Sequence, residues 1–142
     1  MTLVYRFKKE KIENRFVVRP KILVTLHGPI TTLDVPALID SGCDVSVIPE
    51  SLAKAIGIEI KGNEHKLHAF RESSDVIETK TDITFVGKER RQSVTFSIPL
   101  LVVLSKEGQE DEPELVLGIE GIFDHFDITF QKNKNKIKLK SI

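Results

Sequence analysis

The chain has 142 residues, with 21 Lys plus Arg against 21 Asp plus Glu and a formal charge of zero. That balance excludes the net basic field a general nucleic-acid binder needs. Apolar residues make up 40% and charged residues 30%, a composition that supports a packed domain of this length. The one cysteine excludes an internal disulfide framework, and no run of 18 apolar residues is present to span a membrane as a helix. No apolar stretch follows the charged first ten residues, so no signal peptide is expected and a cytoplasmic location is the default expectation.

In chain order, residues 1–13 read as an N-terminal arm or an extra edge strand of a single domain spanning 1–142. Short β-branched or apolar runs follow at 15–18 and 22–26, the second closed by Gly28-Pro29. Residues 33–39 are a further extended run, and Pro36 within it fits an edge or a strand end. Residues 49–56 predict a helix. Leu52, Ala55 and Ile56 fall at i, i+3, i+4, Pro49 and Glu50 suit a first turn, and Gly57 suits the stop. Strands are expected again at 66–70, 76–86, 93–104 and 115–117. The polar, acidic stretch 105–113 reads as a surface loop, and a short helical turn at 121–126 precedes strands at 127–131 and 136–139. There is no internal repeat. Many short strands with one or two short helices predict an all-β barrel or sandwich.

The segment with chemistry is Leu38-Ile39-Asp40-Ser41-Gly42-Cys43-Asp44-Val45-Ser46-Val47-Ile48. An apolar strand runs directly into an acid, a hydroxyl residue and a glycine. A carboxylate at such a strand end is costly unless it is hydrogen-bonded or functional. Ser41 brings a hydroxyl donor, and Gly42 permits a tight turn and close approach of another backbone. An Asp-[Ser/Thr]-Gly tripeptide arises by composition in about one chain in twenty of this length, so the tripeptide alone is a poor discriminator. The apolar flanks sharpen it, and so does a second apolar strand closing on glycine, Val116-Leu117-Gly118.

Together these two segments resemble the retropepsin-like aspartic proteases, the single-domain relatives of pepsin, of the prokaryotic and cellular type. The match runs from about Lys21 to Leu139, including a tail, Phe126-Asp127-Ile128-Thr129-Phe130, that is similar to the closing strands of such members. The resemblance implies an all-β, closed-barrel domain that forms a two-fold homodimer. It implies an aspartic endopeptidase with Asp40 as the catalytic residue of each chain, Ser41 and Gly42 as active-site support, and no metal or cofactor. It further implies that a peptide or protein substrate binds in extended form beneath a flap. Asp44, Ala69, Phe70, Arg71 and Glu72 would contact substrate at the loop and the flap tip. Neither nucleic acid nor membrane is expected as a partner. Three positions depart from the family pattern. No glycine occurs between Asn63 and Val86, where the flap is usually glycine-rich. Ile119 stands where retroviral members commonly carry the arginine that pairs with the equivalent of Asp44. Cys43 replaces a more usual alanine. The glycine-poor flap and the unpartnered Asp44 are the support for an alternative, a catalytically weak or inactive retropepsin-like module for dimerisation or peptide binding. A monomeric β-domain in which Asp40 only caps a turn is a third reading.

The remaining candidates read as structural. Cys43 has no histidine motif beside it and is expected to be a buried thiol. His65 and His68 would project to opposite faces of a strand and could not share an ion. His27 and His125 read as surface or turn residues. Ser41 and Ser46 lack the elbow of a serine hydrolase. Lys132, Lys134, Lys136, Lys138 and Lys140 alternate with period two, which on a strand would align five lysines. The favoured expectation is a charged edge that blocks aggregation, and the other is a small patch for an anionic partner.

Overall fold

Ile22, Val24 and Leu26 are buried, while Leu23, Thr25 and His27 between them are not. This period of two, repeated along the chain, is what makes it a sheet protein. The computed structural model describes residues 1–60, 64–69, 72–89, 92–105 and 114–142, and for 64–69 and 72–74 it describes the backbone. The elements are β1 (Thr2–Tyr5), β2 (Lys8–Ile12), β3 (Arg15–Arg19), β4 (Lys21–His27), β5 (Thr32–Ile39), β6 (Ser46–Pro49), α1 (Glu50–Ala55), β7 (Glu64–Ala69), β8 (Glu72–Val86), β9 (Ser93–Val103), β10 (Val116–Leu117), β11 (Phe126–Gln131), a 3-10 turn (Lys132–Lys134) and β12 (Lys136–Ser141). The fold is mostly β, and among the described residues no helix is long and apolar enough to cross a membrane.

Seven strands form one sheet in the order β4-β5-β10-β6-β9-β8-β7, and β4 also pairs with β8 through Thr25↔Thr84, Leu26↔Ile83 and His27↔Asp82. The sheet therefore folds back on itself around the apolar core. All four residues of β6 are buried, as a central strand covered on both faces requires. Phe85 packs edge-on to Phe126 at 5.1 Å and stacks on Phe96 at 5.6 Å, joining the long β8–β9 ribbon to the C-terminal strands. Pro36 is accommodated because β10 pairs with β5 only at Leu38 and Ile39, which leaves the stretch around Pro36 open on that side.

Several expectations shift. The helix forms with Pro49 as N-cap and Gly57 at φ +89° beyond its end; its buried residue is Ala53, Leu52 packs half-buried on the core, Ile56 is buried just past its end, and Ala55 is exposed. Leu52 and Ile56 thus face the core as expected, and Ala53 takes the place expected of Ala55. Around 121–126 two α-type bonds form, Phe123 N–H to the Ile119 carbonyl (2.9 Å) and Phe126 N–H to that of Ile122 (3.2 Å). Gly121 at φ +84° stops them from merging into a helix.

At the N-terminus, β1 pairs antiparallel with β12 from Thr2↔Lys140 to Tyr5↔Ile137. β2 and β3 make a hairpin whose two turn residues, Glu13 and Asn14, both have positive φ (48° and 65°), the mirror-image turn that fits the twist of paired strands. The lysine-rich tail is not one strand and not an edge. Lys132 and Lys134 lie in the 3-10 turn, and β12, which carries Lys136, Lys138 and Lys140, is the middle strand of the sheet β1-β12-β11. Asn135, at φ 52°, makes the break between turn and strand. The charged-edge expectation is thus corrected.

Candidate active site

Asp40 is the first residue beyond β5, whose Val35, Ala37 and Ile39 point into the core. Loop 40–45 then crosses to β6. The short strand β10 lies between the two, parallel to β5 (Leu117↔Ile39) and antiparallel to β6 (Val116↔Val47). The loop is tied at every step. Asp40 N–H donates to the Leu117 carbonyl at 2.9 Å, and Cys43 N–H donates back to the Asp40 carbonyl at 3.2 Å. The Asp40 carboxylate, through Oδ1, accepts Gly42 N–H at 2.8 Å. On the far side, Ile119 N–H reaches the Cys43 carbonyl (2.8 Å) and Glu120 N–H that of Asp44 (2.9 Å). Buried Ser46 accepts Gly118 N–H on its Oγ at 3.0 Å. A side chain at Gly118 has no room: its Cβ would stand 2.7 Å from the Cys43 carbonyl oxygen and from the Val45 carbonyl carbon. The second glycine of the sequence pattern is therefore a packing requirement of the acid-bearing loop.

Asp40, Ser41, Gly42 and Asp44 are brought together on this loop. Asp40 is half-buried, and the other three are exposed. Asp44 makes no ion pair among the described residues, but its backbone is fixed through Glu120. The Cys43 thiol donates to the Val45 carbonyl at 3.0 Å. Burial, and then the neighbouring Asp40 charge, push this thiol above the usual cysteine range, which disfavours a thiolate nucleophile. Ala69 and Glu72 are cross-strand partners at the end of the β7–β8 hairpin. Phe70 and Arg71, between them, lie outside the described residues, as does most of the acidic stretch 105–113. Beyond that hairpin, where β8 pairs with β9, Glu78 and Lys80 share a cleft of about 500 Å³ with Val45, Glu120, Pro99 and Leu101. Val45, at the end of the acid-bearing loop, thus lines an open groove.

His27 and His125 do have partners. His27 Nε2 is 2.6 Å from Thr84 Oγ1, while His125 stacks on Phe96 at 3.8 Å and its Nδ1 is 2.8 Å from the Gly121 carbonyl oxygen.

Two features escaped the sequence reading. Ser46 is one, although a hydroxyl between Val45 and Val47 signals a buried group in need of a partner. The other is an ion cluster. Arg19 donates twice to Glu114, at 3.2 and 2.5 Å. Lys21 pairs with Glu114 and, at 2.7 Å, with Glu10. Burial would raise the Glu114 carboxyl, but hydrogen bonds from Lys21 and Arg19 and their charges outweigh it and hold the group below its usual range. Burial would lower the Lys21 ammonium, but Glu10 and Glu114 hold it above its usual range. The cluster joins the β3–β4 link to the start of β10. That link also takes the Ile39 N–H on the Pro20 carbonyl at 3.0 Å.

No protein-family model matches the sequence, and no curated protein matches it. Solved structures do. The retroviral protease-like domain of Ddi1 from Leishmania major superposes with a TM-score of 0.54 at 13% identity, over 89% of this chain and 95% of that one. A retropepsin-like aspartic protease from Rickettsia conorii superposes with a TM-score of 0.56 at 13% identity, over 98% of this chain and 93% of that one. The chain has the retropepsin-like fold.

Proposed function

We propose that this chain is an aspartic endopeptidase, a single domain with a closed-barrel core, active as a homodimer in which each copy supplies Asp40. The observation that carries this reading is the clamped loop. An acid at a strand end, held by β10, with its carboxylate accepting the Gly42 N–H, sits on a fold shared with a retropepsin-like aspartic protease. A fixed carboxylate is what acid–base work on a peptide bond needs.

The chemistry follows from bringing two such carboxylates together. Two in contact cannot both ionise at modest cost, so the pair shares one proton. The ionised Asp40 takes a proton from a water held between the two, and that water attacks the scissile carbonyl carbon. The protonated Asp40 of the other copy donates to the carbonyl oxygen as its charge develops. The two titrations belong to the pair. Ser41 braces the dyad across the two-fold axis. The substrate lies as an added strand against Gly42, with Asp44 and the flap residues Ala69, Phe70, Arg71 and Glu72 around it. The groove beside Val45 receives one of its side chains.

The test is cleavage of a peptide library between about pH 3 and 7, the span of shared-carboxylate titrations, using protein concentrated enough to dimerise. Wild type cleaves, and Asp40→Asn loses at least about 10³-fold in turnover while remaining folded. Equal cleavage by the two proteins contradicts the reading. Dimers that bind peptide without cleaving it at any pH would instead assign the module role.

A further inference from the structure

Far along the chain from the Asp40 loop, four cations from separate segments meet around one cleft. Arg6 comes from the link after β1, Lys88 from the β8–β9 turn, Lys134 from the 3-10 turn and Lys136 from the start of β12. The cleft holds about 280 Å³, and no carboxylate lines it. All four side chains are exposed, and among the described residues none is ion-paired. In a chain whose formal charge is zero, this is a local concentration of unneutralised positive charge.

The segments that carry the four cations are fixed. Tyr5, which also lines the cleft, is paired with Ile137 in the β1–β12 ladder. Asn135, also in the lining, accepts the Phe7 N–H on its side-chain oxygen at 3.0 Å and so holds the 3-10 turn against the link bearing Arg6. The β8–β9 turn closes through Gly87 N–H to the Gln92 carbonyl (2.8 Å) and Gln92 N–H to the Glu89 carbonyl (2.9 Å). A Cβ on Gly87 would already touch Leu3 at 3.0 Å, so Gly87, beside Lys88, sits directly on β1. Burial pushes the Tyr5 hydroxyl up to about 12, so this wall is a neutral phenol that adds no negative charge.

Like charges held together in a rigid cleft repel one another and are relieved by an anion. Lys136 cannot be explained as the guard of a free sheet edge, because β12 is flanked on both sides. We propose that this cleft binds the phosphate chain of a small molecule, either a free oligophosphate or a nucleotide polyphosphate. The volume, about 280 Å³, falls just below the range of about 300–1,000 Å³ for drug-sized ligands and suits a short chain of phosphates. A terminal phosphate carries about −1.5 to −2 charges, so a short chain of them matches four cations. Arginine supplies a planar fork for phosphate oxygens, and the lysines supply point charges.

The experiment is calorimetric titration of the full chain with sodium tripolyphosphate and, separately, with adenosine triphosphate. Saturable binding that weakens as salt rises is expected. The double substitution Lys134→Gln, Lys136→Gln should weaken it at least about tenfold, one charge-assisted bond's worth, whereas Lys54→Gln on α1 should leave it unchanged. Tighter binding of the nucleotide than of tripolyphosphate would assign a nucleotide as the source, and equal binding would assign the free oligophosphate. Absence of saturable binding of both, or the same affinity in the double variant and wild type, would overturn the proposal.

Discussion

The Asp40 loop and the lysine-lined cleft are two charged sites built by opposite means. The loop's groups come from one run of sequence, residues 40–46, and are fixed by backbone bonds to a second run, 117–120. The cleft's cations come from positions 6, 88, 134 and 136 and are brought together by strand pairing, turn hydrogen bonds and packing between distant segments. The first site is therefore written locally and depends on close backbone packing. The second exists only once the fold is made, and single changes within it should cost binding and leave stability intact.

Substitutions at the loop should separate these two kinds of dependence. The largest effect is expected for Gly118→Ala. Its new methyl meets backbone atoms at 2.7 Å, so the loop must move, at a cost of about 1–3 kcal/mol in chemical denaturation. Peptide cleavage should fall further than stability, because the displaced element carries Asp40. Retention of wild-type stability would mean that the loop does not rest on Gly118.

Next comes Ser46→Ala. It leaves the Gly118 N–H without its acceptor, and a buried orphan donor costs about 1–3 kcal/mol. Ser41→Ala, at an exposed position of the same loop, should leave the denaturation midpoint of the isolated chain within about 0.5 kcal/mol of wild type. If the dyad reading is right, the same change should weaken the dimer or its turnover.

A smaller effect is expected at the ion cluster. The Glu114 carboxyl is held below its ordinary range by Lys21 and Arg19 once burial is offset. The unfolded chain therefore binds the proton first as pH falls. Glu114 adds to stability above its unfolded value of about 4.3, and this contribution is lost on acidification through the lower folded value. In Glu114→Gln the thermal midpoint should drop near neutral pH and depend less on pH in the acid limb. An acid limb identical to that of wild type would show that the cluster contributes nothing to stability there.

How much of this could be read from the sequence depends on the distance between cooperating residues. Asp40, Ser41, Gly42 and Asp44 are near neighbours, and Gly118 closes a second apolar run, so loop and clamp were both visible. Strand periodicity placed β4, β5, β8, β9 and β11 to within a few residues. The ion cluster was not visible, because Arg19 and Glu114 are 95 positions apart and nothing in either neighbourhood marks the other. The lysine tail was misread because period two signals a strand but does not say whether that strand is central or at an edge. The turn residue Asn135, in the left-handed region, breaks the run where the alternation suggested continuity. On the helix only Ala55 departs from the expected face, its place taken by Ala53, because so short a helix gives the pattern too few points to fix its phase.

The central claim, one carboxylate from each of two copies, is tested most directly by subunit mixing. Wild-type chain is held at constant concentration with a chromogenic peptide it cleaves, and Asp40→Asn chain is added under conditions of free exchange. Random pairing leaves about half of the wild-type chains in wild-type pairs at an equal amount of variant, and about a fifth at fourfold excess. The expected result is that activity falls to about one half and then about one fifth. Activity that stays constant as the variant is added would contradict the shared dyad and place the chemistry, if any, within a single chain.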